Sequence, residues 1–352
     1  MKLFKCQSCG QVLYFENTSC ERCSHRLGYL PGEAVLSALE PEGDQWRTLV
    51  RPVRNVLFCD NAGYEACNWL LDQGAGGSLC NACRHNNTIP DLSIPENLAR
   101  WRDLESAKHW LFYTLLRLRL PLKTRLDDPE HGLAFDFVAD SPRPTGPRVL
   151  TGHDNGLITI AIEEADDAER ERRRTHMGEP YRSLLGHFRH EVGHYFWDVL
   201  IRNGDLLEEC RVLFGDDRQD YGSALQNHYA NGPPAEWQEH YVSAYATTHP
   251  WEDWAETWAH YLHIVDTLEM AGAFGIRVQP HISLDETLTA VIDLDPYSTG
   301  SIHEIIEAWL PLTFAVNSLN RAMGNRDLYP FVLSPAVIAK LAFIHRVVHA
   351  RR

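Results

Sequence analysis

What this chain of 352 residues lacks narrows it first. It has no run approaching the roughly 18–20 uncharged apolar residues that span a bilayer. Its opening, MKLFKCQSCG, has neither an apolar h-region nor a small-residue cleavage site, so no secretory signal is expected and the cytoplasm is the expected compartment. Positive charge is in deficit: 33 Lys and Arg stand against 48 Asp and Glu, a formal net charge of −15. Such a chain lacks the general attraction to phosphate backbones that non-specific nucleic-acid binding needs. The one local basic stretch, HRVVHARR at 345–352, reads first as a solvated helix end. Past Cys83 cysteine nearly vanishes, with Cys210 alone. No internal repeat exists beyond the paired cysteine clusters. What is present, 44% apolar and 23% charged residues, is the composition of a soluble globular protein, long enough for one large domain and small appended modules.

The eight early cysteines form two groups of four. In a chain without an expected signal peptide, clustered cysteines read as metal ligands before disulfides. The first group is Cys6-x2-Cys9 and Cys20-x2-Cys23. Each pair brings two thiolates to one ion, and two pairs complete a tetrahedral zinc site. Val12, Tyr14 and Phe15 between the pairs suit a short hairpin, so residues 1–30 read as a zinc ribbon. A redox CxxC would need only one pair beside a βαβ unit. The second group, Cys59, Cys67, Cys80 and Cys83, is irregular, with CxxC spacing only at its end and a Gly-rich loop at 74–77 before it. It reads as a second four-thiolate zinc site in a module spanning 50–90; the alternative is buried free thiols, since cysteine is a common core residue.

After a linker marked by Pro90 and Pro95, the apolar spacing of Leu98, Trp101, Leu104, Trp110, Leu111, Leu115 and Leu118 predicts a helix over 96–120, stopped by Pro121. LAFDFV at 133–138 and LITIA at 157–161 read as short strands, and the mixed charges of 163–174 as a solvated loop or helix face. Further helices are expected over 181–201, 251–270, 301–320 and 334–348. The fold class is therefore α+β: a mainly helical domain with a small sheet over 96–352, preceded by cysteine-rich modules.

The chemistry concentrates at His190-Glu191-Val192-Gly193-His194, an HExxH motif. One helical turn separates the two histidines, so both imidazoles can reach one zinc. Glu191 beside them can accept the proton of a zinc-polarised water. HExxH is short enough to arise by chance in a chain with 18 histidines. The flanking Leu184, Leu185, Phe196, Trp197, Val199 and Leu200 make this one an inward-facing helix, where buried polar side chains need a reason. Gly193 weakens a helix, so its presence predicts close approach of another backbone.

A catalytic zinc takes three protein ligands and leaves a position open. On the helix at 251–270, Trp251, Trp254, Trp258, Leu262 and Val265 form an apolar face, while Glu252, Glu256 and His260 form a separate stripe at i, i+4 and i+8. One carboxylate binding zinc and the next holding a ligand histidine would explain that stripe. Asp198, His228 and His240 compete as the third ligand.

HExxH followed by a later E-x-x-x-E helix resembles the glutamate zincins. The tyrosine seven residues before EDWAE is similar to the catalytic end of the anthrax lethal factor group. That resemblance implies Glu252 as third ligand, Glu256 as its support from behind and Tyr245 as the phenol facing the reacting carbonyl, with Tyr241 as rival. The whole chain resembles bacterial zinc-binding metallopeptidases with an N-terminal zinc ribbon. That match is carried by Cys6, Cys9, Cys20 and Cys23 with LYFEN between them, then LGYLP at 27–31, RHEVGHYFW at 189–197 and HPWEDWAETWAHYLH at 249–263. A departure is the 57-residue interval between His194 and Glu252.

The leading expectation is a zinc metallopeptidase acting on a protein or peptide, with one catalytic and two structural Zn2+, no membrane association and Glu191 as general base. The alternative is an adaptor in which the ribbons dock a protein or nucleic-acid-associated partner and the zincin domain is restricted or inactive; an intact Glu191 argues against it. A protease acting on nucleic-acid-bound proteins is a third reading, disfavoured by the net charge.

Overall fold

The first two cysteine pairs sit in tight turns, Cys6–Cys9 between β1 (Phe4–Lys5) and β2 (Val12–Leu13), and Cys20–Cys23 in a turn closed by a Ser19–Arg26 bridge. This is a computed structural model, and it describes residues 2–72, 74, 76–140, 149, 151–177, 183–281 and 286–350. The chain divides into two units, Met1–Glu169 and Arg170–Arg352.

In the first unit, β3 (Arg26–Leu30), β4 (Val35–Glu42), β5 (Gln45–Thr48), β6 (Asn55–Phe58) and β7 (Leu70–Asp72) form an antiparallel meander in sequence order. A Tyr29–Trp69 bridge brings β7 back beside β3. Gly28 permits that approach, because a Cβ there would lie 2.6 Å from the Leu70 side chain. Leu30, Leu39, Val56 and Leu70 fill the interior, with Trp46 and Phe58 against them. This meander was not anticipated from the sequence: its strands are short and their burial does not alternate cleanly, β4 running through four consecutive buried residues.

A second sheet of β8 (Asn86–Thr88), β9 (Ala134–Val138), β10 (Gly152–Asp154) and β11 (Leu157–Ala161) has the order β10-β11-β9-β8, with β9 parallel to both of its neighbours. The two strands expected from LAFDFV and LITIA are its centre. Helix α1 (Pro95–Arg117) ends four residues before Pro121, close to expectation. Trp69, Tyr29 and Phe15 from the cysteine-rich part pack with Trp110 and Tyr113 of α1. The charge run is less solvated than expected, since Glu164 is buried and accepts a hydrogen bond from Thr151 Oγ1 at 2.6 Å.

Helix α2 (Asp167–Met177) carries the chain from one unit to the other. The second unit contains α3 (Leu184–Trp197), α4 (Leu207–Phe214), α5 (Tyr221–Asn231), α6 (Pro250–Ala273), a two-stranded pair β12 (Arg277–Val278) and β13 (Ala290–Val291), α7 (Ile302–Ala322) and α8 (Pro335–His349). α3 opens on Ser183, whose hydroxyl accepts from Gly186 N, and the helix expected over 181–201 continues past Trp197 as a wider turn over Asp198–Arg202; residues 181 and 182 lie outside the described residues, as do 351 and 352 of the basic tail. α4 and α5 fall in the long interval after His194 and were not foreseen.

α3 and α6 form the core of this unit. A Cβ at Gly193 would stand 3.1 Å from Ala255 Cα, which explains the glycine by backbone approach. Trp254 Nε1 donates to the Gly193 carbonyl at 2.9 Å, and Phe196 stacks on Trp258. Arg189 pairs with Asp266 across the same contact, both buried. Lys340 of α8 reaches Asp253 Oδ2 at 2.5 Å and the His240 carbonyl at 2.7 Å, tying α8 to the start of α6. Among the described residues no helix is long and apolar enough to cross a membrane.

Candidate metal centres and the HExxH site

In the first cysteine group, the residue after each CxxC, Gly10 and Ser24, adopts positive φ (77° and 62°). Gly10 N then bonds back to Cys6 O and Ser24 N to Cys20 O. The two turns aim four sulfurs inward: Cys6 Sγ lies 3.6 Å from Cys23 Sγ and Cys9 Sγ 3.5 Å from Cys20 Sγ. The ligand atoms of Cys6, Cys9, Cys20 and Cys23 all lie within 4.8 Å of one another. The irregular group converges equally, with Cys59, Cys67, Cys80 and Cys83 buried and mutually within 4.8 Å. Its spacing comes from β6 and β7 bringing the two ends together. Sequence reasoning missed His109 of α1 at this cluster, because it stands 26 residues beyond the last of the four cysteines.

The third convergence joins α3 to α6. His190, His194 and Glu252 present ligand atoms within 4.8 Å of one another. Glu252 Oε2 is 3.0 Å from His190 Nε2 and 3.5 Å from His194 Nε2. Of the expected competitors, Asp198 pairs with Arg202 at 2.8 Å, His228 Nδ1 lies 3.3 Å from Thr247 Oγ1, and the His240 carbonyl receives Lys340. The interval of 57 residues is spanned by α4, α5 and a loop that returns the chain to α3.

The surroundings fix each of these groups. Glu256 Oε1 lies 2.7 Å from His190 Nδ1, and Ser243 Oγ donates to the other Glu256 oxygen at 2.6 Å. A carboxylate accepts, so Nδ1 carries the proton and Nε2 of the neutral ring turns a lone pair toward Glu252 Oε2. Two lone pairs at 3.0 Å repel unless a cation lies between them. Glu252 Oε2 is buried and takes no hydrogen bond of sound geometry. This donor set, two imidazoles and a carboxylate around a buried acceptor, fits zinc. Without a metal the positive charge has to be a proton: burial alone would pull His190 down, but Glu252 and Glu256 outweigh it and hold its pKa well above the usual value. Burial likewise would raise Glu252, and His194 with His190 holds it well below the carboxylate range. Tyr221 OH donates to Glu252 Oε1 at 2.7 Å, a contact with no signal in the sequence.

Glu191 is 6% exposed and its Oε1 lies 3.2 Å from His187 Nε2. Burial pushes its pKa up, but His187 and the two histidines of the motif bring it below the ordinary value, so it is ionised. The Trp251 ring lies against His194, 3.9 Å between centroids. This corrects the apolar face drawn from spacing: Trp254, Trp258, Leu262 and Val265 are fully buried, whereas Trp251 lines the site. Tyr245 approaches His190, 6.0 Å between ring centroids. Tyr241 instead stacks under Lys340, 4.4 Å from its Nζ. His260, third in the stripe, turns away to Tyr329 OH at 2.7 Å.

Comparison with known proteins agrees in kind. Residues 97–347 match the family described as "Putative zinc-binding metallo-peptidase", and residues 3–94 match a zinc-ribbon domain. Uncharacterized proteins of Mycobacterium bovis and Mycobacterium tuberculosis are 42% identical over 349 residues, covering 99% of this chain and 95% of theirs. No solved structure matches.

Proposed function

The chain belongs to the family described as "Putative zinc-binding metallo-peptidase", behind an N-terminal zinc-ribbon domain; from that premise we propose that it hydrolyses peptide bonds of a protein or peptide substrate, in the cytoplasm, at a single zinc held by His190, His194 and Glu252. Bound there, zinc supplies a Lewis acid that polarises a carbonyl and brings the pKa of a water toward neutrality. Glu191 takes the proton from the attacking water and passes it to the leaving amine. His187 keeps that carboxylate ionised and oriented. Glu256 fixes the His190 ring through Nδ1, and Tyr221 fixes Glu252 through Oε1. Tyr245 donates to the carbonyl oxygen as charge develops on it. Burial, then the charge of Glu252, raises the Tyr245 pKa, so the phenol keeps its proton at neutral pH. The two cysteine groups each take a structural zinc, giving three ions per chain, and the ribbons offer a docking surface for a protein partner.

The observation that carries this reading is Glu252 Oε2, buried without a hydrogen bond between two imidazole nitrogens at 3.0 and 3.5 Å. The test is digestion of a broad peptide library by the wild type and by Glu191→Gln, both loaded with zinc. Cleavage by the wild type alone supports peptide hydrolysis. Identical, uncleaved profiles favour the adaptor reading.

A further inference from the structure

Helix α1 buries three ionisable side chains that the catalytic reading does not use, Glu105, Lys108 and His109. His109 Nε2 lies 3.2 Å from Cys67 Sγ, 3.6 Å from Cys83 Sγ and 3.8 Å from Cys80 Sγ. Cys67 Sγ and Cys80 Sγ are 3.8 Å apart. The other ring nitrogen, Nδ1, is 2.6 Å from the backbone carbonyl of Glu105. A carbonyl only accepts, so Nδ1 carries a proton, and when the ring is neutral, as a metal ligand must be, Nε2 turns a lone pair toward the three sulfurs. Metal-bound imidazoles are held in this way, their far nitrogen donating to a carbonyl or carboxylate.

The distances fit a ligand set. Zinc bonds of about 2.3 Å to sulfur and about 2.0–2.1 Å to nitrogen, in a tetrahedron, require S···S edges near ~3.8 Å and S···N edges near ~3.6 Å. The three S···N distances to His109 and the Cys67–Cys80 edge lie near those values, and the remaining two S···S edges fall within 4.8 Å. Cys59 Sγ lies within 4.8 Å of the same three sulfurs and accepts the Cys80 N–H at 3.4 Å. The three shared sulfurs can therefore be closed into a tetrahedron by Cys59 or by His109. Charge decides between the two. Four thiolates around Zn2+ leave two net negative charges and three thiolates with an imidazole leave one, while buried Glu105, its Oε2 3.6 Å from Cys83 Sγ, already takes the buried cation beside it, Lys108. Removing one uncompensated charge from such a place lowers the desolvation cost.

We propose that the second metal centre is a three-cysteine, one-histidine site made by Cys67, Cys80, Cys83 and His109, with Cys59 as a hydrogen-bonded thiol outside it. Its fourth ligand then comes from the stretch matched by the metallo-peptidase family, not from the ribbon. Lys108 Nζ and Asn86 Nδ2 both donate to Glu105 Oε1, at 2.7 and 2.8 Å, and keep α1 in register with the cluster.

The test loads the full chain with cadmium-113 in place of zinc and records proton–cadmium correlations, which report each site separately and do not depend on activity. The expected spectrum has one cadmium resonance coupled to the β-protons of Cys67, Cys80 and Cys83 and to a ring proton of His109. A resonance coupled to the β-protons of all four cysteines, with no histidine coupling, overturns the assignment. Metal analysis of two variants gives an independent answer: Cys59→Ala should keep its full metal content and His109→Ala should lose one ion per chain. The reverse pattern also overturns it.

Discussion

Glu252 and Glu256 are one turn apart on the same helix, Glu252 buried and Glu256 partly buried, and they face different partners. Glu252 faces both Nε2 atoms of the HExxH histidines, and Glu256 faces the back of His190. Glu252→Ala is therefore expected to remove zinc from this centre. Glu256→Ala should weaken it by about 10- to 100-fold, the usual cost of losing an outer partner of a ligand. Competition against a chelator of known affinity measures both; equal losses would mean that the two carboxylates share one role. The tyrosines separate in the same way. Tyr245→Phe should lower kcat by roughly 10²–10³-fold, as loss of an oxyanion donor does, with zinc content unchanged. Tyr221→Phe should instead lower zinc affinity, because it frees Glu252 Oε1. If Tyr245→Phe leaves kcat intact and Tyr241→Phe abolishes it, the carbonyl-facing phenol is misassigned, although Tyr241 is engaged with Lys340.

At the scale of elements, the α3–α6 contact sets the distance between the two histidines and Glu252. Gly193→Val would drive side-chain carbons into the Ala255 backbone, since even a Cβ stands 3.1 Å from Ala255 Cα. Overpacking of this kind costs about 1–3 kcal/mol. The variant should unfold at lower temperature and bind zinc less tightly, both checked on one sample by calorimetry with and without added zinc. A lower melting temperature with unchanged zinc affinity would uncouple packing from the site. This contact was partly legible beforehand: the glycine inside a strong helical pattern, and the polar stripe beside a tryptophan face, both pointed to it. The long helices α1, α3, α6, α7 and α8 were readable because the 3.6-residue period repeats over several turns. The meander β3–β7 was not, as its strands run three to eight residues in the cysteine-rich part and are closed through Tyr29 and Trp69. Tyr221, Ser243, His187 and His109 were invisible for another reason. Each acts through a partner remote in sequence or one turn away on its own helix, and no spacing rule distinguishes such a residue from an ordinary surface or core side chain.

For the whole molecule, the proposed sites amount to three ions. Elemental analysis of protein purified without chelators is expected to give close to three zinc per chain, and a value near one would remove both cysteine sites. The two family matches meet between residues 94 and 97, but the aromatic cluster of Phe15, Tyr29, Trp69, Trp110 and Tyr113 crosses that boundary. A chain cut there should expose those rings and aggregate more readily than the full chain, which light scattering would show. The most direct test of the central claim is an anomalous-difference map at the zinc absorption edge from crystals of the full chain. The account expects a peak between α3 and α6, within bonding distance of His190 Nε2, His194 Nε2 and a Glu252 carboxylate oxygen. A map with peaks only at the cysteine groups, or with the α3 histidines bound alongside Asp198, His228 or His240, would contradict it.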